Sequence, residues 1–332
     1  MTDIFHYTRC PAPTSTGVSA GLGILQAGLR DHGLEARALQ DIADPEIRRH
    51  HFEHGIANLM REGGNIPAIW ARSYGADTRL LGITWLDEFQ AVIVREDSEF
   101  TDVASLGGHR FALPLSSGHR LDVSRITSVR GIQQALRHAG LGLDAVTLVD
   151  ARDLRGVLPG QTGGESFDAE LALLDQGHVD AVWLKSAAGV AALRSGRYRA
   201  VLRIDQLSDP LLRVNNGTPR TLTFHADFIA ARPEVVRRIL ADAQGAVARI
   251  AQDRARLWAI LAGETGQSPE DAEAAFQSFV PENLLPSLTA DRLAALQDQA
   301  DFLLAQGFIP EHVDVAGWAL DWNDLPNADR AA

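Results

Sequence analysis

Cysteine is almost missing from this chain: there is one thiol, Cys10, in 332 residues. A single cysteine excludes an intrachain disulfide and any CxxC-type zinc site. Positive charge is in deficit as well. The 31 Lys and Arg face 43 Asp and Glu, a formal charge of −12. That balance argues against a nucleic-acid backbone or an anionic membrane surface as partner. An acidic chain can still hold a small anion, but only through a local cluster of donors. No apolar run approaches the ~18–20 residues of a membrane span. The first residues, Met1-Thr2-Asp3-Ile4-Phe5-His6, lack the basic segment and long apolar run of a secretory signal, so the expectation is a cytoplasmic protein.

What is present reads as a globular α/β chain. Apolar residues make up 45% and charged residues 22%, and at roughly 150 residues per domain the length suggests two domains. Ile4–Thr8 reads as a short strand that runs into a proline-stiffened loop. Ser15 or Thr16 can cap a helix from Gly17 to His32, and Leu34–Leu39 is a second strand. A helix holding Ile56, Leu59 and Met60 is expected to stop at Gly63-Gly64. Strands follow at Arg79–Thr84 and Ala91–Arg95. Strands and helices then alternate to about residue 204, Gly156–Gly164 reads as a surface loop, and Leu222–Ala226 returns the chain to the first lobe. From Pro233 onward the sequence is mostly helical. The expected architecture is two α/β lobes with largely parallel sheets, residues 1–108 with 220–332 and residues 109–219. The helical tail packs on the first lobe, and ligand binds in a central cleft.

Several local patterns invite chemistry. Gly21-Leu22-Gly23 suggests a dinucleotide loop, but Gln26 stands where the third glycine belongs. Gly17-Val18-Ser19-Ala20-Gly21 matches the letters of a nucleophile elbow. Its serine falls inside a predicted helix, where small residues serve close packing. His50 and His54 could share a helical face and a metal, or form a solvated cluster. Arg61-Glu62-Gly63-Gly64-Asn65 puts an arginine beside a turn with uncovered amides, a combination suited to an oxyanion. The plainer alternative is a surface arginine before a helix stop. Cys10 ends the first strand, and carboxyl ends of strands face the crevice in such folds. It is either a small buried hydrophobe or the centre of the chemistry, with a histidine beside it.

Taken together the motifs resemble the hydroxybiphenyl sulfinate desulfinase family. They run Tyr7-Thr8-Arg9-Cys10-Pro11-Ala12-Pro13, then His51-Phe52, then Arg61-Glu62-Gly63-Gly64-Asn65-Ile66-Pro67, and continue through Thr78–Thr84 and Val94–Ser98. The resemblance implies a two-lobed fold like that of periplasmic binding proteins of type II, the nitrate, taurine and alkanesulfonate group. It assigns Cys10 as the catalytic thiol and His51 as the histidine that works with it. Arg61 and the Gly64 amide would hold the sulfinate, with Gly63 beside them, and Thr8 would supply a hydroxyl to the sulfur. Val129 falls where the family has an aromatic residue against the biaryl substrate, which implies a pocket of different grip.

The implied activity is release of sulfite from an aryl sulfinate, by nucleophilic attack of Cys10 on sulfur or by proton delivery from Cys10 to the ring carbon. No metal or organic cofactor is expected. The expected partner is a small sulfinate or related anion met by a soluble monomer, with no nucleic acid or membrane involved. The competing class is a solute-binding protein that captures a sulfonate, sulfinate or other small anion without catalysis. Ser116-Ser117-Gly118 could add donors to the cleft. Trp70 and Trp183 could line it, although core positions suit both better.

Overall fold

The computed structural model describes residues 3–10, 12–114, 120–151, 167–265, 268–276 and 280–325. The chain begins with β1 (Asp3–Tyr7), α1 (Ser15–Gly21), α2 (Ile24–Asp31), β2 (Leu34–Ala38), α3 (Pro45–Arg48) and α4 (His50–Glu53). It continues through β3 (Leu59–Gly64), α5 (Asn65–Ser73) and β4 (Thr78–Thr84). A second group follows: β5 (Gln90–Arg95), β6 (Arg110–Leu113), α6 (Val123–His138), β7 (Thr147–Asp150), α7 (Asp168–Asp175), β8 (Ala181–Lys185), α8 (Ser186–Arg194) and β9 (Tyr198–Arg203). The chain then enters β10 (Arg220–His225), α9 (Ala226–Ala231), α10 (Pro233–Ile250), α11 (Arg254–Thr265), α12 (Pro269–Ala275), α13 (Ala290–Ala305) and α14 (Val315–Trp318).

These elements form two units, each with its own five-stranded sheet. The first unit comprises Met1–Leu86, Asn216–Thr265 and Ser278–Ala332; the second comprises Asp87–Asn215 and Gly266–Gln277. The strand orders are β2-β1-β3-β10-β4 and β7-β6-β8-β5-β9. The division falls at 86/87 rather than at the expected 108/109 because, among the described residues, β5 pairs with β8 and β9 of the second sheet. Likewise α12 leaves the helical tail for the second unit, where Arg194 of α8 meets Asp271. Neither sheet is largely parallel. β1 runs parallel to β2 and β3, but β10 is antiparallel to both β3 and β4. In the second sheet β6 is parallel to β7 and β8, and β5 is antiparallel to β8 and β9.

Phe5, Met60, Leu222 and Phe224 from the first sheet pack with Leu25, Leu29 and Val235 from the helices that cover it. Each such side chain contributes about 1.5–3 kcal/mol when fully buried. The glycines of the first helical stretch serve this packing. A Cβ at Gly28 would sit 2.0 Å from the Asp242 carboxylate on α10, and one at Gly21 would sit 2.8 Å from Ile260 on α11. The expected single helix over 17–32 is two helices, since Gly23 takes a left-handed φ of 75° between them. Its cap is Thr14, whose hydroxyl accepts from the Gly17 N–H at 2.9 Å.

The larger correction lies at 59–64. This stretch is not a helix ended by a Gly-Gly stop; it is β3, buried at all six positions. Helical spacing of three apolar residues yielded to long-range pairing with β1 on one side and β10 on the other. Gly64 is then the last residue of the strand and the first flank of α5.

Candidate active site

β1 and β3 are parallel neighbours, so their carboxyl ends lie side by side. Thr8 and Cys10 follow the end of β1, and Arg61, Gly63 and Gly64 close β3. These five expected site residues therefore come from adjacent strand ends of one unit. The Cys10 sulfur lies 3.4 Å from where a Gly63 Cβ would be, so a residue without a side chain lets the thiol lie against the strand. Cys10 itself is partly exposed.

Arg61 is 2% exposed. Its Nε donates to the His51 carbonyl at 3.2 Å and its NH1 to the Gly64 carbonyl at 2.7 Å. The third guanidinium nitrogen has no partner among the described residues and is free for an anion. Burial pulls the Arg61 pKa down to about 10, and the proximity of Cys10 works in the opposite direction. The guanidinium is thus cationic at neutral pH and electrostatically coupled to the thiol.

His51 sits on the one-turn helix α4, edge-on to Phe52 with ring centroids 4.8 Å apart. Its Nδ1 is buried and has no hydrogen-bond partner among the described residues. Burial, reinforced by the Arg61 charge, holds its pKa down to about 3. His51 is a neutral imidazole at pH 7. It meets Arg61 through its backbone and makes no hydrogen bond to the Cys10 sulfur.

Thr8 is placed differently from the expectation. Its hydroxyl donates to the Glu62 carbonyl at 3.1 Å and lies 3.2 Å from the Glu62 N–H, so it ties β1 to β3 instead of serving the sulfur. Gly64 is flanked by a group the sequence did not point to, Asn216. The Asn216 side-chain oxygen accepts from Ile66 N–H at 3.0 Å and its carbonyl from Asn65 N–H at 2.9 Å, which satisfies the first turn of α5. A Cβ at Gly64 would lie 2.6 Å from that Asn216 oxygen. No spacing rule connects residues 64 and 216.

The other candidates separate from this site. His54 Nε2 meets the Leu59 carbonyl at 3.1 Å and its Nδ1 lies 3.5 Å from the Thr223 hydroxyl, while His50 Nδ1 accepts from Gly55 N–H at 3.2 Å, so the two imidazoles have different partners. Ser19 lies buried inside α1, as the packing reading requires. Trp70 and Trp183 are both core residues, and a Cβ at Gly131 would collide with the Trp183 indole. Val129 is buried on α6 of the second unit. Ser116-Ser117-Gly118, the loop Gly156–Gly164 and Pro11 lie outside the described residues.

Known proteins are similar to this chain in sequence and in fold. No family model matches. The 2'-hydroxybiphenyl-2-sulfinate desulfinase of Rhodococcus erythropolis is 28% identical over an alignment of 351 positions, covering 96% of this chain and 91% of that protein. The chain is a homologue of these desulfinases. The desulfinase of Rhodococcus qingshengii matches to the same extent. Among solved structures, a cysteine-to-serine variant of the desulfinase DszB in complex with biphenyl-2-sulfinic acid superposes with a TM-score of 0.74 and 24% identity, covering 98% of this chain and 99% of that one. The periplasmic aliphatic sulphonate-binding protein SsuA from Escherichia coli gives 0.70 and 19%, covering 97% and 93%. The fold expected from the desulfinase resemblance, that of the two-lobed binding proteins, is therefore the fold observed.

Proposed function

We propose that this protein is a sulfinate desulfinase, a hydrolase of the carbon–sulfur bond that converts an aryl sulfinate and water into the arene and hydrogen sulfite. The observation that carries the reading is the convergence at two strand ends of Cys10, Gly63 and the buried cation Arg61 with one free donor nitrogen. The homologous desulfinases carry the same reaction in their name.

Arg61 and the Gly64 amide hold the sulfinate oxygens. One guanidinium balances one sulfinate, and the neutral His51 adds no second positive charge. This charge count favours Cys10 as acid over Cys10 as thiolate, because a thiolate beside the sulfinate would leave one guanidinium facing two negative charges. The Cys10 thiol gives its proton to the ring carbon as the carbon–sulfur bond breaks. The bonding pair stays on carbon, and sulfur leaves as sulfur dioxide. Water adds to sulfur dioxide to give hydrogen sulfite, and the proton set free restores the thiol. His51 orients Arg61 through its backbone carbonyl, and its neutral ring, with Nδ1 unpartnered among the described residues, is a hydrogen-bonding group for the bound substrate.

The test is a sulfite assay on a panel of aryl and alkyl sulfinates, biphenyl-2-sulfinate first. Cys10→Ser is expected to lose sulfite release while keeping its melting temperature. Full release by that variant overturns the proposal. The binding-protein reading keeps the same fold, and its signature would be sulfinate-dependent thermal stabilisation with no sulfite from the wild-type protein.

A further inference from the structure

Glu62 lies between Arg61 and Gly63 on β3, so its side chain leaves the opposite face of the strand. It is 1% exposed, and burial raises its pKa against the pull of its donors. The carboxylate reaches the start of α1. One oxygen accepts from Ser15 N–H at 3.2 Å and the other from Thr16 N–H at 2.7 Å, while the Ser15 hydroxyl lies 3.1 and 3.0 Å from the two. No cation pairs with it among the described residues. The backbone of Glu62 is engaged as well, through both of its bonds with the Thr8 hydroxyl.

One residue therefore grips the chain on both sides of Cys10, at position 8 and at positions 15 and 16. A charge buried at this depth is more than a helix end requires, since Thr14 already caps α1. The segment before the thiol is held from its other side too. The Gln40 amide accepts from Arg9 N–H at 3.0 Å and donates to the Arg9 carbonyl at 2.7 Å.

We propose that Glu62 is a positioning residue: it clamps both ends of the Cys10 loop to the strand that carries Arg61 and Gly63, and thereby sets the sulfur beside the guanidinium. Only the kinetic arm of its test rests on the desulfinase reading. The other arm uses the fact that Cys10 is the one cysteine of the chain, so alkylation reports a single site.

The anionic reagent iodoacetate is drawn to a thiol beside Arg61, and the neutral iodoacetamide is not. Their rate ratio cancels the thiol's own reactivity and its accessibility. Arg61→Ala lowers this ratio in the wild-type background, by about fivefold for one nearby charge. Glu62→Gln puts an amide N–H₂ among N–H donors and is expected to lower the ratio to a similar extent, with Arg61→Ala adding nothing further in that background. In the sulfite assay Glu62→Gln loses about tenfold to a hundredfold in kcat, the scale of a small misplacement of a reacting group, with KM changed little. Should Glu62→Gln fold poorly, Ser15→Ala removes only the hydroxyl donor and moves the ratio in the same direction by less. A wild-type labelling ratio in these variants, with only a lower melting temperature, overturns the proposal. Absence of sulfite from the wild-type protein overturns the desulfinase reading and leaves the labelling test standing.

Discussion

At Arg61, burial and a neighbouring thiol act on one guanidinium in opposite directions, and the result is a cation held at about 10 with a spare donor. Removing it deprives a bound sulfinate of a charge-assisted partner. Arg61→Ala is expected to weaken sulfinate binding by about 2–5 kcal/mol, measured by calorimetry or KM. Unchanged affinity would take Arg61 out of the site. His51 invites a second prediction. With its pKa held at about 3, the rate of sulfite release shows no ionisation near the ordinary histidine value of about 6.5. An acid limb centred there that vanishes in His51→Gln would falsify the neutral-imidazole role. At this scale much was legible in the sequence. The resemblance to the desulfinase family named Cys10, His51, Arg61, Gly63 and Gly64, and they lie at neighbouring strand ends or meet through Arg61. Thr8 was legible as a neighbour but not in its role, because its hydroxyl answers to the Glu62 backbone, which only strand pairing brings near.

Elements show where local reading fails. The run Leu59-Met60-Arg61-Glu62-Gly63-Gly64 carries helical spacing and a helix-stop pair, yet it is the buried central strand. Its hydrogen-bond partners come from β1 and β10, the latter about half a chain away. The junction of β3 and α5 likewise depends on Asn216, which caps the helix from across the sequence. Gly64→Ala would drive a Cβ into the Asn216 amide, 2.6 Å away. It is expected to cost about 0.5–2 kcal/mol, the value of a lost helix cap, and to lower the melting temperature. Asn216→Ala should match it, and the double variant should be less than additive because both changes remove one contact. Full additivity would show that the two residues act independently.

Over the whole molecule, the buried imidazoles make the folded state sensitive to acid. His51 and His54 are both held down to about 3, chiefly by burial, against an unfolded value of 6.5. Between these values the unfolded chain binds protons that the folded chain refuses. Their contribution to stability is therefore full above pH 6.5 and is lost progressively as pH falls toward 3. Glu62 works with the opposite sign. Its raised pKa means that the folded state is penalised above that pKa and relieved below the ordinary carboxylate range. His6 and His50, lowered by burial as well, act in the same direction as His51 and His54. Urea midpoints should fall steadily below pH 6.5, and His54→Gln should flatten that slope. An unchanged slope would place the acid sensitivity elsewhere.

The amino-acid sequence by itself determined the class of the protein. One cysteine excluded an intrachain disulfide and a CxxC zinc site, alternating strand and helix signals gave the α/β class, and motifs shared with the desulfinases pointed to the candidate site. Those features are local or additive, so they survive without knowledge of pairing. Tertiary structure alone decided that Gly63 and Gly64 end a strand, that Glu62 grips both sides of the Cys10 loop, and that Asn216 caps α5. Each of these depends on hydrogen bonds between residues far apart in the chain. Such bonds form only once the strands have been brought together, and no local propensity encodes their partners.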